Sequence, residues 1–411
     1  MSFEHFLTKK IISARAYKNS VSAPIIKIGV SAIAISVIVM IISVGIGTGM
    51  QKEIKDKISA FEGHITVQKK SFNSIEQNSL SPISPDQKLI NNLRDLAEVK
   101  NVENIISRFG IVRTDEDFDG LFFKGVEIDY DFEKIQPYLI SGSLPSFSES
   151  YSDQVLISKT LANKLNLNLG DNFQMLFSKE NNTSPSILKL KIKGIFDSGF
   201  EELDSKFLIG DIRHMRRILK WDYNEIGYLE IQLDDTAKTE EISDYIYQNT
   251  PPDYDVTSTK QKYNTIYDWI DLFDKNIYAI IFIMVLVASI NIISVMLVSI
   301  LERTNMIGIL KAIGATNKSL QKFFIIISSY LIFFGISIGN ILGLTILLVQ
   351  KNFNLIPLDP KIYYVSSVPV NIDFFQILVI NIIVFVLCVF SILLPSLVVS
   401  KVTPKDSIKF N

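Results

Sequence analysis

The sequence predicts an α-helical membrane protein with four transmembrane helices and a large α+β extracytoplasmic domain between helices 1 and 2. Three observations predict it. Four apolar runs, at residues 28–50, 277–301, 323–349 and 374–399, contain no Asp, Glu, Lys or Arg. The long stretch between the first two runs alternates strand-like and helix-like patterns. Lysine and arginine gather on only some of the intervening segments.

Each run is long enough to cross a bilayer. A hydrocarbon core about 30 Å thick takes roughly 20 helical residues at about 1.5 Å each, and soluble helices rarely stay uncharged all round for that length. The first run is longer than the apolar segment of a cleaved signal and lacks an Ala-x-Ala exit, so it is expected to stay as an anchor. Orientation follows the basic residues. Lys9, Lys10, Arg15, Lys18 and Lys27 precede the first run; Arg303, Lys311, Lys318 and Lys322 follow the second; Lys401, Lys405 and Lys409 follow the fourth. Those segments are expected to be cytoplasmic. The loop between the third and fourth runs sets only Lys351 and Lys361 against Asp359 and is expected outside.

The resulting plan is a cytoplasmic segment at 1–27, helix 1 at 28–50, an extracytoplasmic α+β domain at 51–276 and helix 2 at 277–301. A cytoplasmic segment at 302–322, helix 3 at 323–349, a short outside loop at 350–373, helix 4 at 374–399 and a tail at 400–411 complete it.

Inside the domain, strands are expected at 64–68, 121–128, 155–158, 173–177, 187–196, 227–233 and 254–257 from alternation and turn signals. Helices are expected at 160–167, at 211–220 with Asp211 as N-cap, and at 239–247. Residues 72–85 read as a polar loop, and 178–186 as a polar excursion between two strands, either a partner-binding loop or a solvated hairpin. In 259–276, Tyr263, Ile266, Tyr267, Ile270 and Phe273 fall close to helical spacing, which predicts a helix running without a break past Asp274 into helix 2.

Composition excludes several functions. The 411 residues carry a net charge of −2, with no basic stripe to hold nucleic acid. One cysteine, Cys388, forms no internal disulfide framework, and His5, His64 and His214 are scattered, so no metal site is expected. No catalytic triad motif occurs, and the apolar runs lack ionisable groups, so no enzymatic site is expected. No phosphate-binding G-x-x-x-x-G-K-[ST] occurs either. The GIGTG at Gly45 to Gly49 ends an apolar run and is read as close helix packing or a flexible exit instead of a dinucleotide turn.

Gly335, Gly339 and Gly343 repeat every four residues, a stripe that lets another helix approach closely. Asn291, Asn340 and Asn381 are expected to hydrogen-bond between helices or to face a cavity.

Between the second and third runs, Met306, Ile309, Leu310 and Ile313 share a helix face, with Ile307 at its margin and Thr304, Gly308 and Lys311 opposite. Periodicity leaves three occupants open: headgroups, the protein's own helices, or a groove on a partner.

The run ERTNMIGILKAIGA resembles the cytoplasmic signature of the ABC-transporter permeases of the FtsX/MacB/LolC–LolE superfamily. The tail LLPSLVVSKVTPKDSIKF is similar to that family's ending, with Pro404, Ser407, Ile408 and Lys409 in the matching places. FLTKKIISAR, GTGMQKEI, VLISKTLANKLNLNLGD and KGIFDSGFEELDSKFLI resemble the lipoprotein-releasing branch more loosely. The loop after the Gly-Asp block, residues 174–188, is shorter than that branch's proline-rich hook and contains only Pro185.

The resemblance implies that Glu302, Arg303, Ile307, Gly308, Leu310, Lys311, Ala312 and Gly314 couple the chain to a separate, LolD-like ATPase. Gly308 and Ala312 would permit close approach, and Arg303 and Lys311 would pair with its acidic groups. ATP and magnesium would be bound by that partner, with no cofactor in this chain. It implies a second permease subunit, the same chain or a paralogue, a lipoprotein cargo, a LolA-like periplasmic carrier and a place in the inner membrane. Helices 1 and 2 of two permease chains would wall the lipid cavity, with the apolar stripe of Val37, Met40, Ile41 and Val44 as a candidate lining, equally consistent with contact to bilayer lipid. A MacB-like exporter of peptides or toxins and an FtsX-like regulator of cell-wall hydrolases are the alternative functions within the superfamily.

Overall fold

The computed structural model describes residues 22–70, 81–114, 117–148, 151–179 and 182–401. They form two compact units, one of residues up to Gln51, Ile270–Pro357 and from Val368 onward, the other of Lys52–Trp269 and Leu358–Ser367. The N-terminal basic residues before Lys27 and the tail signature at Pro404 to Lys409 lie outside the described residues.

Four helices are long and apolar enough to cross a membrane, at Pro24–Glu62, Asn264–Glu302, Asn317–Phe353 and Phe374–Ser400. The first two outrun their apolar stretches. The first helix proper continues to Glu62, and the second begins at Asn264 and passes Asp274 without a break. The third starts at Thr316, whose hydroxyl accepts from the Ser319 N–H, and stops at Asn354 in the left-handed conformation. The fourth starts at Asp373, whose carboxylate accepts from the Phe375 N–H.

Their shared core includes Ile33, Val37, Met40, Ile41, Ala288, Ile292, Phe323, Phe324 and Val384, all buried. The glycine stripe sets the closest approach. A Cβ on Gly335 would lie 2.8 Å from the Ile33 side chain, and one on Gly343 would lie 3.4 Å from Ile41. The stripe therefore seats the chain's own first helix. Gly45 would meet Leu347 at 2.6 Å and Gly47 would meet Ile277 at 2.5 Å, so the GIGTG segment packs closely inside a continuing helix. Asn340 and Asn381 exchange amide hydrogen bonds of 2.9 and 3.0 Å, joining the third and fourth helices.

The second unit holds one mixed sheet of ten strands among the described residues. They are β1 (Ile65–Lys69), β2 (Val99–Arg113), β3 (Phe118–Val126), β4 (Leu139–Gly142), β5 (Gln154–Ser158), β6 (Asn172–Lys179), β7 (Asn182–Phe196), β8 (Phe207–Asp211), β9 (Tyr228–Leu233) and β10 (Tyr254–Ser258). The order is β10-β1-β9-β2-β3-β8-β5-β7-β4, with β6 paired to β2 and β7. Two pairings, β3 with β8 and β5 with β7, are parallel and the rest antiparallel.

Helices cover this sheet over two apolar clusters. Leu161, Ala162, Ile212 and Met215 come from the helices at Lys159–Lys164 and Ile212–Leu219 and pack on Phe123, Ile157, Met175 and Leu190. Leu93, Ile242 and Ile246 pack on Val67, Val102, Leu229 and Ile231. Asp211 caps its helix through a bond from the Arg213 N–H, as the sequence predicts.

Most of the polar stretch 178–186 belongs to the β6–β7 hairpin, the second of the two readings the sequence allows: backbone pairing between two strands needs no apolar side chains. Residues 72–80 of the other expected loop lie outside the described residues, while Ile83 bridges to Ile226.

Candidate functional site

Two places combine exposed apolar surface with a built framework, and both are in the helical unit. The first is a groove of about 350 Å³ between the first and second long helices, lined by Val39, Ile42, Ile46, Phe273, Ile277 and Ile280. The groove faces away from the glycine stripe. This corrects the expectation for Val37, Met40, Ile41 and Val44, which are buried in the helix core. The physical reason is steric: Gly339 has no side chain, so Val37 fills its place, and the residues that point the other way are left to line the open groove. A signal for this existed. A glycine stripe of period four on one helix matches Ile33, Val37 and Ile41 of period four on another.

The second is the segment after the second helix. Glu302 ends that helix and is exposed, Arg303 is half-buried, and a short helix runs Thr304–Ala312. Ile307 and Gly308 are buried on its inner side, and Met306 and Leu310 pack at the edge of the core. Ile309, Ala312, Ile313 and Gly314 face outward, Ile309 at 52% and Ile313 at 79% exposure. Gly314 has φ +105°, a conformation that favours glycine, with open space where a side chain would stand. The expected apolar face therefore divides, with one side docked on the chain's own helices and the other presented.

Two expected roles change here. Gly308 is turned inward, so it leaves no gap on the presented side. Lys311 does not stand free for a partner's carboxylate, because its Nζ donates to the Val399 carbonyl at 2.7 Å and to Ser400 at 3.4 Å. Those carbonyls belong to the short helix Val398–Lys401, and Gln321 donates to the Ser396 carbonyl just before it. A lysine meeting carbonyls at a helix C-terminus satisfies groups that the helix leaves unpaired. Lys311 thereby binds the end of the fourth helical region to the Thr304–Ala312 helix.

The domain has its own charged cluster, which the sequence did not signal. Lys124 bonds the Glu230 carboxylate and donates to the Phe61 carbonyl at 2.5 Å. Lys134 bridges Glu230 at 3.2 Å and Glu103 at 2.6 Å, and sits 4.3 Å from the Tyr130 ring centre. Glu62 receives Lys206, Lys262 and the Tyr263 hydroxyl. Gln232 donates to the Ser59 carbonyl at 2.6 Å. Together these bind the last turn of the first long helix into the sheet. Burial pushes the Glu103 carboxyl up against the opposing pull of Lys134, and burial likewise lowers Lys206. Among the described residues no group of three or more His, Cys, Asp or Glu could hold a metal ion.

Comparison with known proteins finds two family matches along the chain. Residues 28–248 match the MacB-like periplasmic core domain, and residues 278–404 match the FtsX-like permease C-terminal family. The lipoprotein-releasing system transmembrane protein LolC of Xylella fastidiosa is 19% identical over 382 residues, covering 88% of each chain. LolC of Buchnera aphidicola is 24% identical over 352 residues, covering 85% of this chain and 84% of its own. LolE of Haemophilus influenzae is 20% identical over 402 residues, covering 94% of each. Such permeases are membrane subunits of ABC transporters, work with an ATPase partner and are not themselves enzymes. With a MacB-like core domain matched over more than half of its length and an FtsX-like permease region behind it, this multi-pass membrane protein belongs to the FtsX/MacB-like family of ABC-transporter permeases.

Proposed function

We propose that the chain extracts lipoproteins from the inner membrane and passes them to a periplasmic carrier, driven by a separate ATPase. The observation that carries this reading is the likeness to lipoprotein-releasing permeases along 88% of this chain and 88% of the relative. In this reading the domain lies in the periplasm and residues 302–322 and the tail lie in the cytoplasm. The ATPase is LolD-like, the carrier LolA-like, and a second permease, either a copy or a paralogue, completes the assembly.

Energetics select the path. Three acyl chains of about 15 carbons, at roughly 0.8 kcal/mol per buried CH₂, would cost on the order of 35 kcal/mol to expose to water. They must stay against apolar surface throughout. The groove formed by Val39, Ile42, Ile46, Phe273, Ile277 and Ile280 offers that surface, and a facing permease would close its open side. Ile309 and Ile313, one helical turn apart and outward, form the knob that enters the ATPase. Lys311 holds the tail-end helix to the same element, so a push on the knob reaches the second, third and fourth helices together. The chain's own work is to shelter acyl chains and transmit force; ATP chemistry is the partner's.

Depletion of the chain is expected to leave lipoproteins in the inner membrane. Normal lipoprotein sorting, with loss of peptide export or of cell-wall hydrolase activation instead, would move the function to the MacB-like or FtsX-like alternative. An Ile313→Asp variant tests the knob separately. It is expected to lose co-purification with the ATPase, and retained binding with normal coupled hydrolysis would reject that contact.

A further inference from the structure

The loop between the third and fourth long helices contributes Leu358–Ser367 to the domain's compact unit. Tyr364 is its centre. The ring packs edge-on against Phe200, with centroids 4.9 Å apart and planes at 87°, and against Trp269 at 5.5 Å and 80°. Its carbonyl accepts a hydrogen bond of 3.1 Å from Lys57, a lysine only 7% exposed. The Tyr364 N–H donates back to the Pro360 carbonyl at 2.9 Å, which closes the loop on itself.

Tyr364 holds this place at a cost. Its φ is +61°, a left-handed conformation that a bulky aromatic side chain rarely takes. Strain of this kind persists where the surroundings over-determine the backbone, and it is a pointer to function. The surroundings here are unusual in their origin. Lys57 follows the first apolar run, Trp269 precedes the second, and Tyr364 lies between the third and fourth. Each apolar run thus leads through a short piece of backbone to Tyr364 itself or to a residue touching it, Lys57 at its carbonyl and Trp269 at its ring, and Phe200 adds the sheet side through the β7–β8 connection.

We infer that Tyr364 is a positioning residue that conveys displacement of the third and fourth helices into the domain, by pressing its ring on Phe200 and Trp269. Lys57 fixes the height of the loop by holding the Tyr364 carbonyl, and the ring then moves as the loop moves. This rests on the coupled-transport reading above, but it concerns the linkage and not the cargo.

The test uses the full chain co-purified with its ATPase, in a Trp221→Phe background, so that Trp269 is the remaining tryptophan of the two. ATP with orthovanadate is expected to change Trp269 emission. Tyr364→Asn removes the ring and tolerates the left-handed backbone; it is expected to reduce that change at least about fivefold, the lower end of a typical coupling, with ATP hydrolysis kept within about twofold. Tyr364→Phe keeps the ring and the full response. Phe200→Leu leaves the loop sequence intact and is expected to lose the response as Tyr364→Asn does. An undiminished response in either ring-removing variant, or no response with Tyr364 in place, overturns the inference. Lipoprotein release is measured alongside: its absence in the otherwise unaltered chain would count against the cargo and leave the emission result to decide the linkage.

Discussion

Gly339 lies against Val37: a Cβ added to the glycine would stand 2.7 Å from the valine Cβ and 2.9 Å from the Ala34 carbonyl oxygen. One of those neighbours is backbone, which cannot swing aside. The first and third helices therefore touch at a spacing that only glycine allows. Gly339→Leu is expected to disrupt the folded helix bundle itself, lowering the melting temperature of the detergent-solubilised chain and its yield. Overpacking in tight cores costs typically about 1–3 kcal/mol, and a backbone clash puts this site at the upper end. A variant that melts normally but fails to join its partners would return the stripe to an intermolecular role.

Asn340 and Asn381 are each other's partner in both directions, and Asn340 also donates to the Ile336 carbonyl at 2.8 Å. Interhelical bonds of this kind are worth about 0.6 kcal/mol on average and up to about 1.7 in membrane proteins. Asn381→Leu leaves the Asn340 side-chain oxygen without its donor, so it is expected to cost more than its share. The double variant Asn340→Leu/Asn381→Leu should cost less than the sum of the singles. A thermal-stability cycle measures the coupling, and strict additivity would show that the pair contributes nothing as a pair.

Much of this architecture is legible in the sequence, for identifiable reasons. A run without charge needs only to be counted, so all four long helices stand out, and Asp211 is readable as a cap because its chemistry is local. The facing of a helix is not local. Val37 and Val39 are the same residue type two positions apart, and only the glycines of another helix decide which of them is buried. Lys311 reads as a surface cation until the Val399 carbonyl, 88 residues away, is brought to it. The strand β2 is unreadable for a related reason. It is central, is broken by a register shift between Val99 and Asn101, contains Gly110, and puts Glu103 on a buried ion pair, so its alternation is spoiled where tertiary contacts compensate. The cluster of Glu62, Lys124, Lys206, Glu230 and Lys262 spans distant segments and leaves no sequence motif.

Lys124 and Glu230 are both fully enclosed, at 3% and 0% side-chain exposure. A buried pair is weak evidence of net stabilisation, but removing one partner typically costs about 3–5 kcal/mol because it strands the other charge. Lys124→Met is expected to fall near the lower part of that range, since Lys134 still bonds Glu230. It also frees the Phe61 carbonyl at the end of the first long helix. Lys124→Met/Glu230→Leu should recover part of the loss. Hydrogen exchange at β3 and β9 in the full chain reads both effects, and equal protection in all variants would mean that the pair is idle.

Two buried groups make opposite demands as the solution is acidified. Burial lowers His64 to about 4 from 6.5, and its Nδ1 accepts the Leu233 N–H at 3.1 Å, which requires the neutral ring. The unfolded chain takes up that proton first, so stability from His64 is complete above about pH 6.5 and is lost on the way down to about 4. Burial raises Asp204 to about 6 from 3.8, against the hydrogen bonds from Ser198. Here the folded state takes up the proton first. Its contribution is complete below pH 3.8 and is lost as pH rises through about 6. Each displacement is on the order of 3 kcal/mol at about 1.4 kcal/mol per unit, so the two largely cancel between pH 4 and 6. Asp204→Asn is expected to unmask a loss of stability on acidification, and His64→Gln a gain. Thermal unfolding of the full chain at pH 4.5, 5.5 and 7 separates the slopes; parallel profiles for the two variants would show that neither group is linked to folding.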